Sequence, residues 1–459
     1  MMGHVYISAA HKSSGKTTLS IGLCAALRAA GKTVQPFKKG PDYIDPLWLG
    51  QAAGRPCHNL DFYTMQRAEI DDLFATEMQG ADIGIIEGNK GLYDGLALDG
   101  SNSNAALAAQ LGSPIVLVLD SQGMTRGVAP LILGYQAFEP AINIVGVILN
   151  KVGGSRHEAK LRAVIEHYTD VRVLGAVQRS DALLINERHL GLVPSNERGD
   201  SEAHIERMAQ VIRDQVDLDT LLAMSEQGGV PGARTVPISP AGGPRVRIGY
   251  ASDSAFGFYY AGDLAALGAA GADLVPFSPL RDRQLPACDA LFLGGGFPET
   301  HMEQLERNAD MRAAVAGFIE RGGPAYAECG GLMYLCERLT WAGKTRNMAG
   351  VLPGEVVMHA KPQGRGYVQL RETADHPWPG SPGEGEPIPG HEFHYSALAN
   401  VPDGLRFAYR VDRGVGLDGI HDGIVYRNLL ASYAHRRDTR SHPWARRFVE
   451  FVRSCGGGV

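Results

Sequence analysis

Ser13-Ser14-Gly15-Lys16-Thr17-Thr18 follows a short apolar run, Val5–Ser8, and opens a stretch with helical spacing, Lys16–Ala30. A glycine, a lysine and two threonines at a strand-to-helix junction are the parts of a phosphate-binding loop. Backbone N–H groups there point at the anion, and the helix dipole also favours negative charge. The lysine brings a cation to the β/γ-phosphates, and the next hydroxyl reaches magnesium. Ser14, Gly15, Lys16, Thr17 and Thr18 are therefore the candidate ATP-binding residues. The strict pattern has a glycine five places before Gly15, where Ala10 stands. The competing reading is a capped helix with a chance Gly-Lys-Thr, and the strand before it argues against that.

Around this loop the first half alternates apolar runs with amphipathic stretches. Thr33–Phe37, Ile83–Ile86, Ile115–Leu119, Ile142–Leu149 and Val171–Val177 read as strands; Lys16–Ala30, Thr125–Phe138 and Ser155–His167 read as helices. Near-continuous apolar strands separated by helices predict an α/β fold with a buried parallel sheet. Residues 226–245 hold four prolines and five glycines, which predicts a linker between a domain at 1–225 and another at 246–459. A second alternation follows, with strands at Val246–Ala251, Leu274–Phe277, Ala290–Leu293 and Ala325–Ala327. After Gly350 the helices between apolar runs disappear, which predicts antiparallel strands added to the second sheet. Residues 377–389 read as a surface loop.

The 459 residues suit two to three domains. A net charge of −6 argues against nucleic acid as a main partner, since phosphate neutralisation needs a basic surface. The first residues show no charged and apolar signal pattern, and no apolar run is long enough for a bilayer, so neither secretion nor a membrane partner is expected. Six cysteines without a CxxC pair predict reduced thiols in a cytoplasm rather than disulfides or a zinc site. Cys24 and Cys336 read as buried packing residues in helices.

Magnesium needs carboxylates beyond the loop. Glu87 ends the Ile83–Ile86 strand at the edge where ligands of open α/β sheets collect. Asp42 and Asp45 lie in Lys38-Lys39-Gly40-Pro41-Asp42-Tyr43-Ile44-Asp45-Pro46, which reads as a polar loop at the same edge and, taken alone, as a solvated turn. Asn150 closes its strand and is a candidate for reading adenine, with a strand-end cap as the alternative. Lys90 follows Glu87 closely enough to offer a charge to an anionic substrate, or is a plain solvated lysine.

A different chemistry appears at Ala327-Glu328-Cys329-Gly330-Gly331. Small residues two before and two after a nucleophile let a strand turn sharply into a helix, and a helix N-terminus favours the thiolate. Cys329 needs a base, and His435 after a late strand is the first choice. Gly294-Gly295-Gly296 follows another apolar strand; the backbone N–H groups of Gly295 and Gly296 can form an oxyanion hole.

Taken together, these segments resemble the cobyrinic acid a,c-diamide synthase family over nearly the whole chain. Phe37–Pro46, Gly91-Leu92-Tyr93-Asp94-Gly95, Glu187-Arg188-His189-Leu190-Gly191-Leu192, Gly294–Glu299 and His391-Glu392-Phe393-His394 carry the resemblance. It implies a dethiobiotin synthetase-like P-loop domain followed by a class I glutamine amidotransferase domain of flavodoxin-like fold. It further implies ATP and Mg2+, with glutamine and a tetrapyrrole as small-molecule substrates, and a homodimer. Thr17, Asp42 and Glu87 are the expected metal residues; Lys38, Asp45, Lys90 and Asp94 are expected at the substrate and its activation. Many class I enzymes carry an acidic residue two places after the histidine, but here Arg437 stands there, so the usual third triad member is missing from its place. Asn89-Lys90 and Ser101–Asn104 look closer to relatives that amidate sirohaem or sirohydrochlorin than to those acting on cobyrinate. The expected reaction passes through an acyl phosphate, with ammonia released from glutamine by Cys329 and His435. The alternatives are a cobyric acid synthase-like enzyme amidating other side chains, and an ATP-switch protein of the partitioning type with an inactive second domain.

Overall fold

The computed structural model describes residues 3–188, 191–229, 242–380 and 385–456. It forms two compact units, residues 1–236 and 237–459. Residues 230–241 of the expected linker, His189 and Leu190 of the family motif, and 381–384 of the expected loop lie outside the described residues.

The first unit holds a seven-stranded sheet built from β1 (Gly3–Ala9), β2 (Val34–Lys39), β3 (His58–Leu60), β4 (Ile83–Glu87), β5 (Ile115–Asp120), β6 (Ile144–Val152) and β7 (Arg172–Gln178). Their spatial order is β3-β2-β4-β1-β5-β6-β7, and every pairing is parallel. β1, β2 and β4 are buried along their whole length, as expected for central strands covered on both faces. Register decides what meets at the carboxyl edge. Ile7 and Lys38 both pair with Glu87, and Asp120 pairs with Asn150.

Helix α1 (Lys16–Ala29) starts directly after Gly15, whose φ of 86° only glycine adopts without strain. The next helix corrects the sequence reading. The stretch Lys38–Pro46 is not a loop throughout, because α2 (Ile44–Ala53) begins inside it. Asp42 Oδ1 accepts the backbone N–H groups of Ile44 and Asp45 at 2.9 and 3.0 Å. Its polarity thus serves the unpaired donors of a helix start.

In the second unit five strands run parallel in the order Ala272–Phe277, Val246–Ala251, Ala290–Leu293, Ala325–Glu328, Leu429–Ser432. The sheet continues antiparallel through His421–Tyr426, Arg406–Arg413, Gly364–Glu372, Ile388–His394 and His435–Arg436. Only Tyr433 and Ala434 separate the last strand from Leu429–Ser432, and two residues span about 7 Å at most. The antiparallel half therefore curls round until its far edge returns to the strand beside Cys329.

Two expectations are corrected here. Cys336 is buried but begins a strand, Cys336–Trp341, rather than lying in a helix. Leu352–Met358 does not join the main sheet; it pairs with Cys336–Trp341 and Ser396–Ala399 in a separate four-stranded sheet. All six cysteines are free thiols. No helix among the described residues is long and apolar enough to cross a membrane.

The closing helix Trp444–Cys455 buries Trp444, Phe448, Val449 and Val452 in the same core as Phe292 and Tyr326. Tyr326 belongs to the strand that ends at the cysteine turn, so this helix braces it from behind. Phe448→Ala should destabilise the second unit by about 3–5 kcal/mol, read as an earlier denaturant midpoint for that unit in the full chain.

Candidate active sites

The phosphate loop is tied down from below. Asn150 Nδ2 donates to Ser14 O at 2.9 Å, and Asn150 Oδ1 accepts the N–H of Lys151 at 2.9 Å. Lys151 Nζ donates to Ser13 O at 3.0 Å and pairs with Asp120 at 2.7 Å. Ser14 Oγ donates to His11 O, and Thr18 Oγ1 to Gly15 O. Asn150, a lining residue of the adjoining cavity, thus also ties the loop backbone in place. A cavity of about 1020 Å³ holds Gly15, Lys16, Thr17 and Thr18 on one side and Gln178, Arg179, Ser180, Asp181 and Leu183 on the other. That volume suits a nucleotide. Burial lowers the Lys16 pKa, while Glu87, Asp45 and Asp94 act to raise it.

Beside the loop lies a dense charge cluster. Thr17 Oγ1 donates to Glu87 Oε1 at 2.6 Å and reaches Asp45 Oδ2 at 3.2 Å. The buried Lys38 ammonium pairs with Asp45 at 2.5 Å and Glu87 at 3.0 Å, with Asp42 at 4.0 Å. Burial would lower the Lys38 pKa, but Asp45, Glu87 and Asp42 outweigh it and hold it well above its ordinary value. Glu87 is fully buried and its pKa is raised, first by burial. Its Oε2 has no hydrogen-bond partner among the described residues. A buried carboxylate oxygen left open beside a threonine hydroxyl and a second carboxylate fits a hard cation. No three His, Cys, Asp or Glu residues among those described form a metal cage. The sequence reading set Asp42 with the metal and Asp45 with the substrate. In the structure Asp45 meets Thr17, and Asp42 caps α2.

The segment after Glu87 is held by one side chain. Asn104 is buried; its Oδ1 accepts Tyr6 OH at 2.9 Å and the N–H of Asn89 at 3.1 Å, while its Nδ2 donates to Asn89 O and Gly91 O. Asp94 Oδ2 accepts the N–H of Gly91 at 2.9 Å, with its charge acting on Lys16. Lys90 is exposed, at a φ of 41°. Asn102 Oδ1 accepts the N–H groups of Leu96 and Ala97, and Ser103 Oγ accepts that of Ala106. The Ser101–Asn104 run therefore builds its own loop with these side chains.

In the second unit Cys329 stands on the sharp turn the sequence suggested, at φ 46° and ψ −101°. That backbone is strained for a non-glycine residue. Gly331 makes the turn possible, since a Cβ there would lie 2.0 Å from Leu293 O. The strand Gly295–Gly296 packs against the turn: a Cβ on Gly330 would meet Gly296 N at 2.9 Å. His435 is buried and hydrogen-bonds Cys329. Its Nδ1 meets Glu328 Oε2 at 3.0 Å. Burial would lower the His435 pKa, but its bonds to Cys329 and Glu328 and the Glu328 charge raise it to about 10. The His391 ring stacks on His435 at 5.0 Å, because the two residues pair directly across antiparallel strands. Burial and then His435 hold the His391 pKa well below its ordinary value, so it stays neutral.

Known proteins carry the same two parts in the same order. Residues 7–193 match the CobQ/CobB/MinD/ParA nucleotide binding domain, and residues 247–439 match the CobB/CobQ-like glutamine amidotransferase domain. A cobyrinate a,c-diamide synthase of Magnetococcus marinus is 48% identical over 98% of this chain and 97% of its own. Those of Methanosarcina acetivorans and Listeria monocytogenes are 42% and 38% identical, over 94% and 95% of this chain and 91% and 96% of theirs. The chain belongs to the cobyrinate a,c-diamide synthase family. Its family is one of ATP-dependent, glutamine-using ligases, and its two units are the P-loop and amidotransferase domains of that family.

Several residues of this synthase-family chain escaped the sequence reading. Lys151 acts on the backbone of Ser13, far away in sequence, and Asp120 pairs with Lys151; no local motif marks either, and Asn104 stood only inside a polar run with no sign of the loop it holds. Gln178–Leu183 follow β7 at the carboxyl edge, a position that could have flagged them. Glu328 lies inside the cysteine turn, where the family pattern of an acid after the histidine gives no signal for it. Asn150→Asp should weaken ATP binding about 10-fold or more by titration calorimetry, since it sets a carboxylate oxygen against Ser14 O with no donor between.

Proposed function

We propose that this chain amidates the a and c acetate carboxylates of cobyrinate, using ATP to activate each carboxylate and glutamine as the nitrogen source. The observation that carries the reading is the pairing of a phosphate loop and a Cys329–His435 couple in one chain that aligns end to end with synthases of that name. Ser14–Thr18 hold the triphosphate and Gln178–Leu183 face the base. Thr17, Asp45 and Glu87 would hold Mg2+, which when bound neutralises phosphate charge. Lys16 and Lys38 bring fixed cations to the transferred phosphoryl group, and Lys90 and Asp94 border the substrate.

A substrate carboxylate oxygen attacks the γ-phosphorus and ADP leaves, giving an acyl phosphate. The Cys329 thiolate attacks the glutamine carboxamide carbon, with the Gly295 and Gly296 N–H groups offered to the developing oxyanion. The His435 imidazolium protonates the departing nitrogen and ammonia leaves. Water, deprotonated by His435, hydrolyses the thioester to glutamate and restores the thiol. Ammonia then attacks the acyl phosphate and expels phosphate. The six free thiols suit a cytoplasmic enzyme, and a homodimer is the assembly we propose for it.

Cobyrinate is preferred to sirohaem for two reasons. The aligned relatives bear its name, and the Asn102, Ser103 and Asn104 side chains are committed to backbone. Product mass spectrometry with ATP, glutamine and either tetrapyrrole should show amidation of cobyrinate at the higher rate; faster turnover of sirohaem would transfer the assignment. Cys329→Ser should lose glutamine-dependent synthesis yet retain it with concentrated ammonium salt. Lys16→Ala should lose synthesis with either donor but keep glutamine hydrolysis. A Cys329→Ser enzyme that works on glutamine alone would end the nucleophile assignment.

A further inference from the structure

The place after the histidine where many class I amidotransferases carry an acid holds Arg437, yet His435 is not left without a carboxylate. We infer that Glu328, the residue immediately before the nucleophile, is the positioning acid of the glutaminase site. This rests on the Cys329–His435 reading above and assigns the residue that orients the base.

The geometry begins with the strand pairing. Ala325–Glu328 pairs in parallel with Leu429–Ser432, Glu328 opposite Ser432, and the N–H of Cys329 reaches Ser432 O at 2.7 Å. Residues 433–435 then lead from that strand end to His435. A side chain on Glu328 therefore meets the imidazole from one strand while Cys329 meets it from the turn. Glu328 Oε2 takes His435 Nδ1 at 3.0 Å, and the hydrogen bond to Cys329 falls to the remaining ring nitrogen, Nε2. A carboxylate at Nδ1 fixes the tautomer and ring orientation and stabilises the imidazolium as it forms.

Glu328 is itself held. Its Oε1 accepts Tyr326 OH at 2.5 Å and the N–H of Arg436 at 3.2 Å. Arg436 Nε donates to Tyr326 OH at 3.3 Å. The Arg436 guanidinium is 2% exposed and sits among the rings of Tyr326, Trp378, Tyr409 and Trp444. The cation offsets the buried Glu328 charge, and the rings hold the cation in place. From the opposite side His391 lies flat on His435. The charged and titratable groups nearest the imidazole are Glu328, Cys329 and neutral His391; beyond Glu328 stand Tyr326, Arg436 and Asp263.

The test uses the full-length enzyme. Glu328→Gln keeps the shape but offers Nδ1 an amide, so glutaminase kcat should fall about 10³-fold or more with the KM for glutamine nearly unchanged. Ammonium-dependent synthesis should persist. Peptide-resolved alkylation of Cys329 should shift its midpoint to higher pH, because the imidazolium beside the thiol loses the carboxylate that stabilises it. Tyr326→Phe, which removes one donor to Oε1 and keeps the ring, should lower kcat by a smaller factor and move the midpoint in the same direction. If Glu328→Gln does not fold, Tyr326→Phe and Glu328→Asp carry the test with the same two readouts. Glutaminase kcat within a few-fold of wild type and an unmoved alkylation midpoint would overturn the assignment to Glu328 alone. Absence of glutaminase in the wild type would instead overturn the underlying reading.

Discussion

Parallel strands in register bring their carboxyl ends to one edge, and both chemistries of this chain are built on that constraint. In the first sheet the register Ile7–Glu87 and Lys38–Glu87 delivers an acid and a base to the foot of the phosphate loop. Thr17 and Asp45 close on them from α1 and α2. In the second sheet Leu293 pairs with Ala327 and Glu328 with Ser432. The glycine strand, the nucleophile turn and the approach to His435 therefore converge at one level. Without such alignment none of these side chains, drawn from positions far apart in sequence, would meet.

Buried charge is the cost of both arrangements, and each handles it differently. At the ATP end the Lys38 ammonium lies among three carboxylates, and it is the member whose loss would cost most, because it alone compensates their charge and an unpaired buried charge costs several kcal/mol. At the glutamine end the charge is spread along a line from Arg436 through Tyr326 and Glu328 to His435. The hydrogen bonds to Cys329 and Glu328, with the Glu328 charge, raise the basicity of the imidazole against the opposing effect of burial. The closing helix and the aromatic rings around Arg436 exclude water from this line, so its hydrogen bonds act in a low dielectric.

What was legible in the sequence was what is local. The phosphate loop and the cysteine turn each occupy a few consecutive residues whose types are set by backbone geometry, and both stand where the reading put them. The alternation of apolar strands and helices likewise disclosed two α/β sheets. Contacts made across the fold were not legible. Asp42 and Asp45 are three residues apart and alike in chemistry; only the start of α2 inside that stretch decides which one faces Thr17. Asn104 clamps a loop thirteen to fifteen residues earlier, and polar runs of that composition read equally well as substrate contacts. The curl that returns His435–Arg436 to the far edge of the sheet depends on pairings between short strands with little periodicity of their own. Glu328 was hidden for a related reason: a family habit directed attention past the histidine, whereas the carboxylate reaches it from beside the nucleophile.

In the proposed reaction, nitrogen freed at Cys329 becomes the amide of a carboxylate activated at the phosphate loop. The most direct measurement incubates the enzyme with ATP, cobyrinate and glutamine labelled with 15N in its side-chain amide, then reads the product by mass spectrometry. The account expects a product whose a and c amides both carry the label, formed only when ATP is present. Labelled ammonia released into solution with no labelled amide on cobyrinate would contradict it.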